Sequence, residues 1–369
     1  MNCDLIRKLR LEHGWSQTGL ADKLCEVSQH PTVTRSDISR WERGKRAPRP
    51  FWLRHLATVL EVPLTALEAD PVNRRAFISE VAAASIAPIV ASDLIEHGFA
   101  AALTKRPTLD YWHAKLASYG SDYMSLGAAE IQNRLTSDLL VLQQQMDTPG
   151  MWEVAAKLMT LYGKTFPGAD GSKAINWYMM AANAADRSNN DSARVWVRGR
   201  AAIALGYEGA SLSVAESFAN QALAISERPS LGRLNALMGK AHVAAIRGDS
   251  RAARTLTEEG RRVFDAAGSE DQESDYAVPL WRMNVFVSLL AARLGDEPAA
   301  LKAQDVAAKH LPSSLPRFAT HLEMHRGLMM VRAGDRSGGI AYARGALDRL
   351  PPEKHSLTLR MLMSEIEDV

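Results

Sequence analysis

Eleven residues decide the fold of the N-terminal part of the chain: Thr34-Arg35-Ser36-Asp37-Ile38-Ser39-Arg40-Trp41-Glu42-Arg43-Gly44. Thr34 is a favourable helix N-cap, because its hydroxyl can accept a hydrogen bond from a free N–H of the first turn. Ile38 and Trp41 are three residues apart and share one helix face, which we expect to lie in a core. Gly44 suits the left-handed position that ends a helix. The pattern therefore predicts a short helix that stops at Gly44.

Four further helices are predicted around this segment, over residues 5–10, 15–24, 51–60 and 64–69. Ser16 is a suitable N-cap for the second helix, and Pro63 suits the first turn of the fifth. Residues 25–31 make the connection between the second and third helices longer than the usual three or four residues. Either the second helix extends into this segment, or a loop there reaches phosphate groups.

Two motifs in this region resemble the phage-repressor-type (Xre family) helix-turn-helix: Ser16-Gln17-x-x-Leu20-Ala21 and the run from Ile38 to Gly44. The resemblance spans residues 5–67 and implies that the third helix enters the major groove of DNA. It implies base contacts from Arg35, Ser36, Ser39 and Arg40. It implies phosphate contacts from Gln17, Arg43, Lys45, Arg46 and Arg49. It also implies a structural ion pair between Arg10 and Glu42.

The charge of the chain is unevenly distributed, although its net charge is only +2. Residues 1–55 hold eleven Lys and Arg against six Asp and Glu, while the remainder holds 33 against 36. This asymmetry favours an N-terminal module that meets a polyanion. At 46% hydrophobic residues the chain is too apolar for a disordered protein, and two cysteines exclude a disulfide framework. No apolar run approaches the length of about 20 residues that a membrane-spanning helix needs.

Alternating strand patterns are nearly absent, so the chain is predicted to be all-α. Pro71 follows Asp70 and prevents a helix from continuing through this point. We therefore predict a helix-turn-helix domain over residues 1–70, a linker over 71–80 and a helical domain over 81–369.

The second domain contains a repeated turn, Gly-Asp, at residues 248–249, 295–296 and 334–335. Each glycine follows an apolar-periodic stretch and fits a helix C-terminus, and each aspartate fits the N-cap of the next helix. Small residues stand five positions after the glycines, and proline follows seventeen positions after the last two. These positions resemble the tetratricopeptide repeat, with a weaker earlier unit at Gly209. The alternative is an alanine-rich helical bundle without repeat geometry.

A helix-turn-helix joined to such repeats resembles the peptide-pheromone regulators of the Rgg/Rap/PlcR kind, which act in quorum sensing. It resembles more closely a group of actinobacterial regulators. The first resemblance implies a ligand groove on the inner face of the repeats. Counting back from each glycine gives the candidate ligand residues Asn235, His242, Arg282, His321 and His325. Their polar groups suit the backbone or carboxylate of a peptide, and ordinary packing between helices is the alternative.

Catalytic and metal-binding patterns are missing from the sequence. His321 and His325 share a helix face, but Leu322 stands where the zinc-protease pattern needs Glu, and no third ligand follows. We therefore predict no enzyme activity, no metal and no cofactor.

The sequence as a whole predicts a cytoplasmic repressor of transcription that binds a double-stranded DNA operator. A homodimer is expected, because a two-fold operator needs two recognition helices about 34 Å apart. The repeats are expected to form the dimer and to bind a peptide or small-molecule signal. The alternative is a repeat domain that acts as an adaptor for a protein partner and binds no diffusible ligand. Neither hypothesis includes contact with a membrane.

Overall fold

The computed structural model describes residues 3–12, 15–28, 32–60, 107–166, 171–209 and 211–369. All regular elements in these ranges are helices, which confirms the predicted all-α class. The chain divides into two compact units, one containing the described residues up to 60 and the other those from 107 onward. The predicted linker at 71–80 and the predicted fifth helix at 64–69 lie outside the described residues.

The N-terminal unit contains four described helices: α1 (Cys3–Glu12), α2 (Gln17–Ser28), α3 (Arg35–Glu42) and α4 (Pro50–Val59). Helix α2 extends through Cys25 to Ser28, so the first of the two alternatives for residues 25–31 describes most of that segment. Thr34 caps α3 in a capping box, in which its backbone N–H and its hydroxyl donate to the carboxylate of Asp37 at 3.1 and 2.7 Å. Gly44 ends the turn after α3 with a φ of 67°.

The core of the N-terminal unit lies between these four helices. Trp41 is 4% exposed, so its expected place in the core is observed. Leu9 packs against this core and is partly exposed. The buried residues of the core are Ile6, Leu20, Ala21, Leu24, Val33, Ile38, Trp41, Leu53, Leu56, Val59 and Leu60.

The C-terminal unit is built from helices that pack mainly against their neighbours in sequence. They are α5 (Leu109–Ser125), α6 (Ala128–Leu142), α7 (Pro149–Gly163), α8 (Gly171–Arg187), α9 (Asp191–Glu208), α10 (Leu212–Ile225), α11 (Leu231–Ile246), α12 (Ser250–Ala267), α13 (Leu280–Arg293), α14 (Glu297–His310), α15 (Pro316–Arg332), α16 (Arg336–Asp348) and α17 (Leu357–Asp368). None of the helices in the described ranges is long and apolar enough to cross a membrane.

The three predicted Gly-Asp turns join α11 to α12, α13 to α14 and α15 to α16. Gly248, Gly295 and Gly334 have φ values of 82°, 69° and 102°. In each turn the following aspartate accepts a hydrogen bond at its carboxylate from the backbone N–H three residues on, at 2.9, 3.2 and 2.9 Å. Each turn therefore ends one helix and caps the next, which is why the chain doubles back at the same point of three successive units.

Glycine pairs bring α9 and α11 into backbone contact. A Cβ on Gly199 would lie 2.0 Å from the carbonyl oxygen of Gly232, and one on Gly206 would lie 2.5 Å from that of Gly239. Any larger residue at these positions would push the two helices apart. This close approach packs the first helices of two consecutive units directly against each other.

Arg293 ties the last helix of the chain to this inner face. Its guanidinium donates to both carboxylate oxygens of Glu365 on α17, at 2.8 and 2.7 Å. It also donates to the carbonyl of Tyr207 at 2.8 Å and to Nδ1 of His242 at 3.0 Å. One buried side chain thus holds together α9, α11, α13 and α17.

Candidate functional site

Helix α3 presents a row of polar side chains to solvent. Arg35, Ser36 and Arg40 are all exposed, and 52% of the Arg40 side chain is accessible. Asp37 lies among them, and the Thr34 hydroxyl holds the pKa of that carboxyl below its usual range. Its Oδ2 accepts the hydrogen bonds of the helix cap, and its Oδ1 lies 3.9 Å from Nη1 of Arg40. The surface of α3 that faces outward is therefore dominated by two arginines and can meet the edges of base pairs.

Ser39 does not belong to this exposed row, and its base contact stays a prediction. Only 8% of the residue is accessible. Its hydroxyl accepts a hydrogen bond from Nη2 of Arg43, and its carbonyl accepts one from Nε of Arg43 at 3.1 Å. Ser39 follows the buried Ile38 and lies on the flank of α3 that turns toward the unit's interior, which the family pattern alone did not show.

Three side chains hold α3 from its inner side. Nε and Nη2 of Arg10 donate to the two carboxylate oxygens of Glu42, at 2.5 and 3.1 Å. Nε2 of Gln17 donates to the same carboxylate at 2.7 Å. Arg10 and Glu42 are buried, so the ion pair expected between the first and third helices is present and links α1, α2 and α3. Gln17 stands at the first turn of α2, and its phosphate contact remains a prediction.

A basic segment continues from the end of α3. Arg43, Lys45, Arg46 and Arg49 are all exposed, and no acidic residue lies between them in the sequence. The backbone N–H of Lys45 donates to the carbonyl of Arg40 at 2.9 Å, which fixes the chain direction at the helix end. Exposed cations that follow one another in this way are suited to phosphate contacts.

The five residues predicted to line a ligand groove are buried in the C-terminal unit. His325 is fully buried and is hydrogen bonded through Nδ1 to Ser288 and through Nε2 to the hydroxyl of Tyr207, at 2.9 and 3.0 Å. His242 is fully buried against Arg293, and Asn235 is 2% exposed. These three do not line the cavity found on the inner face.

Arg282 and His321 do line a cavity of about 80 Å³ on the inner face of the repeats. Arg282 is held by the protein itself, because its Nη2 donates to the carboxylate of Asp275 at 2.8 Å and its Nη1 to three backbone carbonyls. Burial lowers the pKa of His321 to about 3, so its ring is neutral at physiological pH. The structure thus places these two residues in a small cavity that has both charged and apolar residues in its lining.

Sequence reasoning missed most of the charged residues around this cavity. They are Lys164 after α7, Arg200 and Glu208 on α9, and Arg317 on α15. Arg200 could have been noticed as a cation inside the apolar stretch of α9, and Arg317 as a cation beside Pro316. Asp275, which accepts from three of the cations, lies in the irregular segment between α12 and α13, where no pattern indicated it. Among the described residues, no group of three His, Cys, Asp or Glu could hold a metal ion.

The N-terminal unit places α3, with its exposed arginines, directly before a basic segment, an arrangement that suits contact with DNA. Residues 6–67 match the helix-turn-helix family HTH_3, and the N-terminal unit is accordingly a helix-turn-helix domain. A solved structure with similarity to the chain is the crystal structure of Bacillus thuringiensis PlcR in complex with the peptide PapR7 and DNA. The identity is 15% and the TM-score 0.36, with 72% of this chain and 94% of that chain covered. No curated protein matched the chain.

Proposed function

We propose that the protein is a sequence-specific, DNA-binding repressor of transcription that acts in the cytoplasm as a homodimer and whose helical repeats bind a peptide or small-molecule signal. The observation that carries the proposal is the exposure of Arg35, Ser36 and Arg40 on a helix whose opposite side is held by a buried ion pair. A recognition helix must present its polar side chains in one fixed orientation, because a misplaced donor cannot form its hydrogen bond with the base edge.

The phosphate contacts supply affinity and the α3 contacts supply discrimination. Gln17, Arg43, Lys45, Arg46 and Arg49 remain our candidates for the sugar–phosphate backbone. Exposed cations of this kind bind any sequence and weaken with salt, whereas an arginine on a guanine edge distinguishes base pairs. Repression follows from occupancy alone, because a protein bound at its operator excludes others from the same DNA.

The homodimer is proposed from the geometry of DNA. One helix-turn-helix unit reads only one half-site, and a pair of units reads two half-sites about 34 Å apart. Sedimentation of the full-length protein at micromolar concentration should show a dimer, and a monomer under those conditions would exclude this part of the proposal.

The cavity beside Arg282 and His321 supports a signal sensor over an adaptor, because its walls come from five helices and two connections and carry several charged groups that suit a small ligand. Genome-wide binding of the tagged full-length protein tests the proposal. We expect discrete sites that share a two-fold symmetric sequence. Uniform binding, without a common sequence, would contradict it.

A further inference from the structure

Three cations in the C-terminal unit converge on one carboxylate. Lys164 donates to both oxygens of Asp275 at 2.6 and 2.7 Å, and Arg200 and Arg282 each donate to its Oδ1 at 2.8 Å. The side chain of Asp275 is 1% exposed, and those of the three cations are between 5 and 10% exposed. One buried negative charge therefore faces three buried positive charges, and the cluster carries a surplus of positive charge out of contact with bulk water.

Two further charged groups complete the wall of the cavity. Arg317 donates to the carbonyl of Tyr123 at 2.9 Å and brings a fourth cation. Glu208 accepts a hydrogen bond from Thr358 at 2.9 Å. Burial raises the pKa of the Glu208 carboxyl to about 7, so this second acid is only partly ionised at neutral pH. The cavity therefore remains positive even when both acids are counted.

Hydrogen-bond donors in the cavity wall lack acceptors. Nε of Arg200 and Nε of Arg282 are buried and have no partner within the described part of the chain. A buried donor without an acceptor costs about 1–3 kcal/mol, so such atoms usually mark a missing water or ligand. Burial and the positive charge of Arg200 also lower the pKa of Lys164 well below its usual range, which shows that the cluster disfavours its own charge.

We propose that this cavity is an anion site, and that the cluster of Lys164, Arg200 and Arg317 binds the carboxylate or phosphate group of the signal molecule. The volume of about 80 Å³ exceeds what a single water needs, roughly 10–15 Å³, and admits a group of that size. Charge-assisted hydrogen bonds from arginine and lysine are the usual means of holding such groups. The role as a signal rests on the proposed function, whereas the anion site itself does not.

The rest of the ligand has apolar and cationic neighbours. Val285, Phe286 and Phe318 line the same cavity and suit a small apolar substituent next to the anion. An adjoining cavity of about 30 Å³ shares Lys164 and Arg317 with the first and is also lined by Lys354 and Arg360. These two cations extend the positive surface outward and would attract an anion toward the site.

A larger cavity elsewhere in the unit lacks this charge pattern. It measures about 510 Å³ and is lined by apolar groups such as Trp196 and Leu231. Its lysine, Lys157, is paired with Glu153 at 2.7 Å. Size alone would favour this cavity as a ligand site. Its lysine is already paired with a carboxylate, however, so the cavity has no surplus positive charge that would bind an anion.

Calorimetric titration and thermal unfolding of the full-length protein at constant ionic strength test the anion site with three probes. N-acetyl-leucine supplies a carboxylate beside an apolar group, N-acetyl-leucinamide is its uncharged match, and inorganic phosphate supplies the alternative oxyanion. We expect N-acetyl-leucine or phosphate to bind and to raise the unfolding temperature, and the amide to do neither. The probe that binds identifies the anionic group. Equal effects of all three probes, or no effect of any, would overturn the site.

Two variants of opposite sign separate an anion site from a structural network. Lys164→Gln should lower the affinity for the probe that binds by about tenfold or more, because a charged hydrogen bond is lost. Glu208→Gln keeps the shape and removes the competing negative charge, so binding should tighten, a gain that misfolding cannot produce. Lys302→Gln makes the same charge change on the exposed face of α14 and should leave binding unaltered. A Glu208→Gln protein that folds and binds no more tightly would overturn the proposal.

A gel-shift titration with the same probe then separates the anion site from the proposed function. Probe binding without any change in DNA affinity would leave the anion site in place and remove its role as a signal. Specific DNA binding by a protein that binds no probe would remove the anion site and leave the proposed function in DNA binding in place.

Discussion

Arg10 on α1 and Glu42 on α3 are joined by two buried hydrogen bonds, Nε to Oε1 at 2.5 Å and Nη2 to Oε2 at 3.1 Å. Gln17 on α2 donates to the same carboxylate, so three helices meet at one acid. Glu42 lies at the last turn of α3, one residue after the buried Trp41, and the exposed Arg40 precedes both. The ion pair therefore fixes the rotation of α3 about its axis, and with it the direction in which Arg40 points.

Replacing Arg10 by methionine should loosen α3. Removing one partner of a buried ion pair leaves an uncompensated charge and costs about 3–5 kcal/mol, here at the carboxylate of Glu42. Hydrogen exchange of the amides in residues 35–42, measured in the full-length protein, should become markedly faster. Arg7→Met removes an exposed arginine from the same helix and serves as the control. Unchanged protection of α3 in Arg10→Met would show that the pair does not position this helix.

The aspartate of a Gly-Asp turn should stabilise the C-terminal unit as a helix cap. Asp335 accepts from the N–H of Gly338 at 2.9 Å, and Asp335→Ala should lose about 1 kcal/mol of unfolding free energy. Asp348→Ala removes an exposed acid from the other end of α16, where a negative charge opposes the helix dipole, and should be neutral or slightly stabilising. Urea unfolding of both variants measures this difference, and equal midpoints would argue against the cap.

The stability of the C-terminal unit should depend on pH through Glu208. Since its pKa in the fold is about 7, above the ordinary 4.5, the folded protein keeps a proton that the unfolded chain loses. The protonated Glu208 carboxyl therefore contributes to the free energy of unfolding. This contribution is full below about pH 4.5 and is lost as pH rises through 7. In Glu208→Gln the loss should be absent, so the variant should gain in unfolding temperature over the wild type between pH 5 and 8.

The buried histidines give the stability a pH dependence of the opposite sign, but they are present in both the wild type and Glu208→Gln. Burial lowers the pKa of His242, His321 and His325, so their contribution is present above about pH 6.5 and lost at lower pH. The difference between variant and wild type cancels it. Glu227→Gln, at an exposed acid, should follow the wild type at every pH. A Glu208→Gln curve parallel to the wild type would show that this carboxyl titrates normally.

Arg282 should be a structural residue. Its guanidinium serves the carboxylate of Asp275 and the carbonyls of Ser274, Asp275 and Ala277, so it organises the segment before α13. Arg282→Ala should lower the unfolding temperature by several degrees, because these buried acceptors lose their donor. Arg251→Ala removes an exposed arginine from α12 and should not. If Arg282→Ala unfolded at the same temperature as the wild type, Arg282 would not be structural, and a role in ligand contact would again be the better interpretation.

Local chemistry made much of the fold predictable. The N-cap at Thr34, the left-handed glycines and the Gly-Asp turns depend on a few adjacent residues, and the structure shows each of them where the sequence indicated. Burial of Trp41 followed from its spacing to Ile38. The N-terminal helix-turn-helix was recognisable for the same reason, since its motifs are short and lie on single helices.

The ligand cavity was predictable only in part, because it depends on how the helices approach one another. The repeat phase selected Arg282 and His321, which line the cavity, and also Asn235 and His242, which are buried away from it. Contact of any of them with a ligand stays a prediction. Asp275 contacts Lys164 across more than a hundred residues of sequence. No periodicity links two such positions, and only the packed structure brings them together.

The central claim is that α3 reads DNA sequence through Arg40. It is tested most directly by gel-shift titration of wild type, Arg40→Ala and Arg46→Ala on an operator from the genome-wide sites and on unrelated DNA. Arg40→Ala should lose about 1–3 kcal/mol on the operator and almost nothing on unrelated DNA. Arg46→Ala should weaken both and reduce the salt dependence by about one unit. An Arg40→Ala protein that binds the operator as tightly as the wild type would contradict the account.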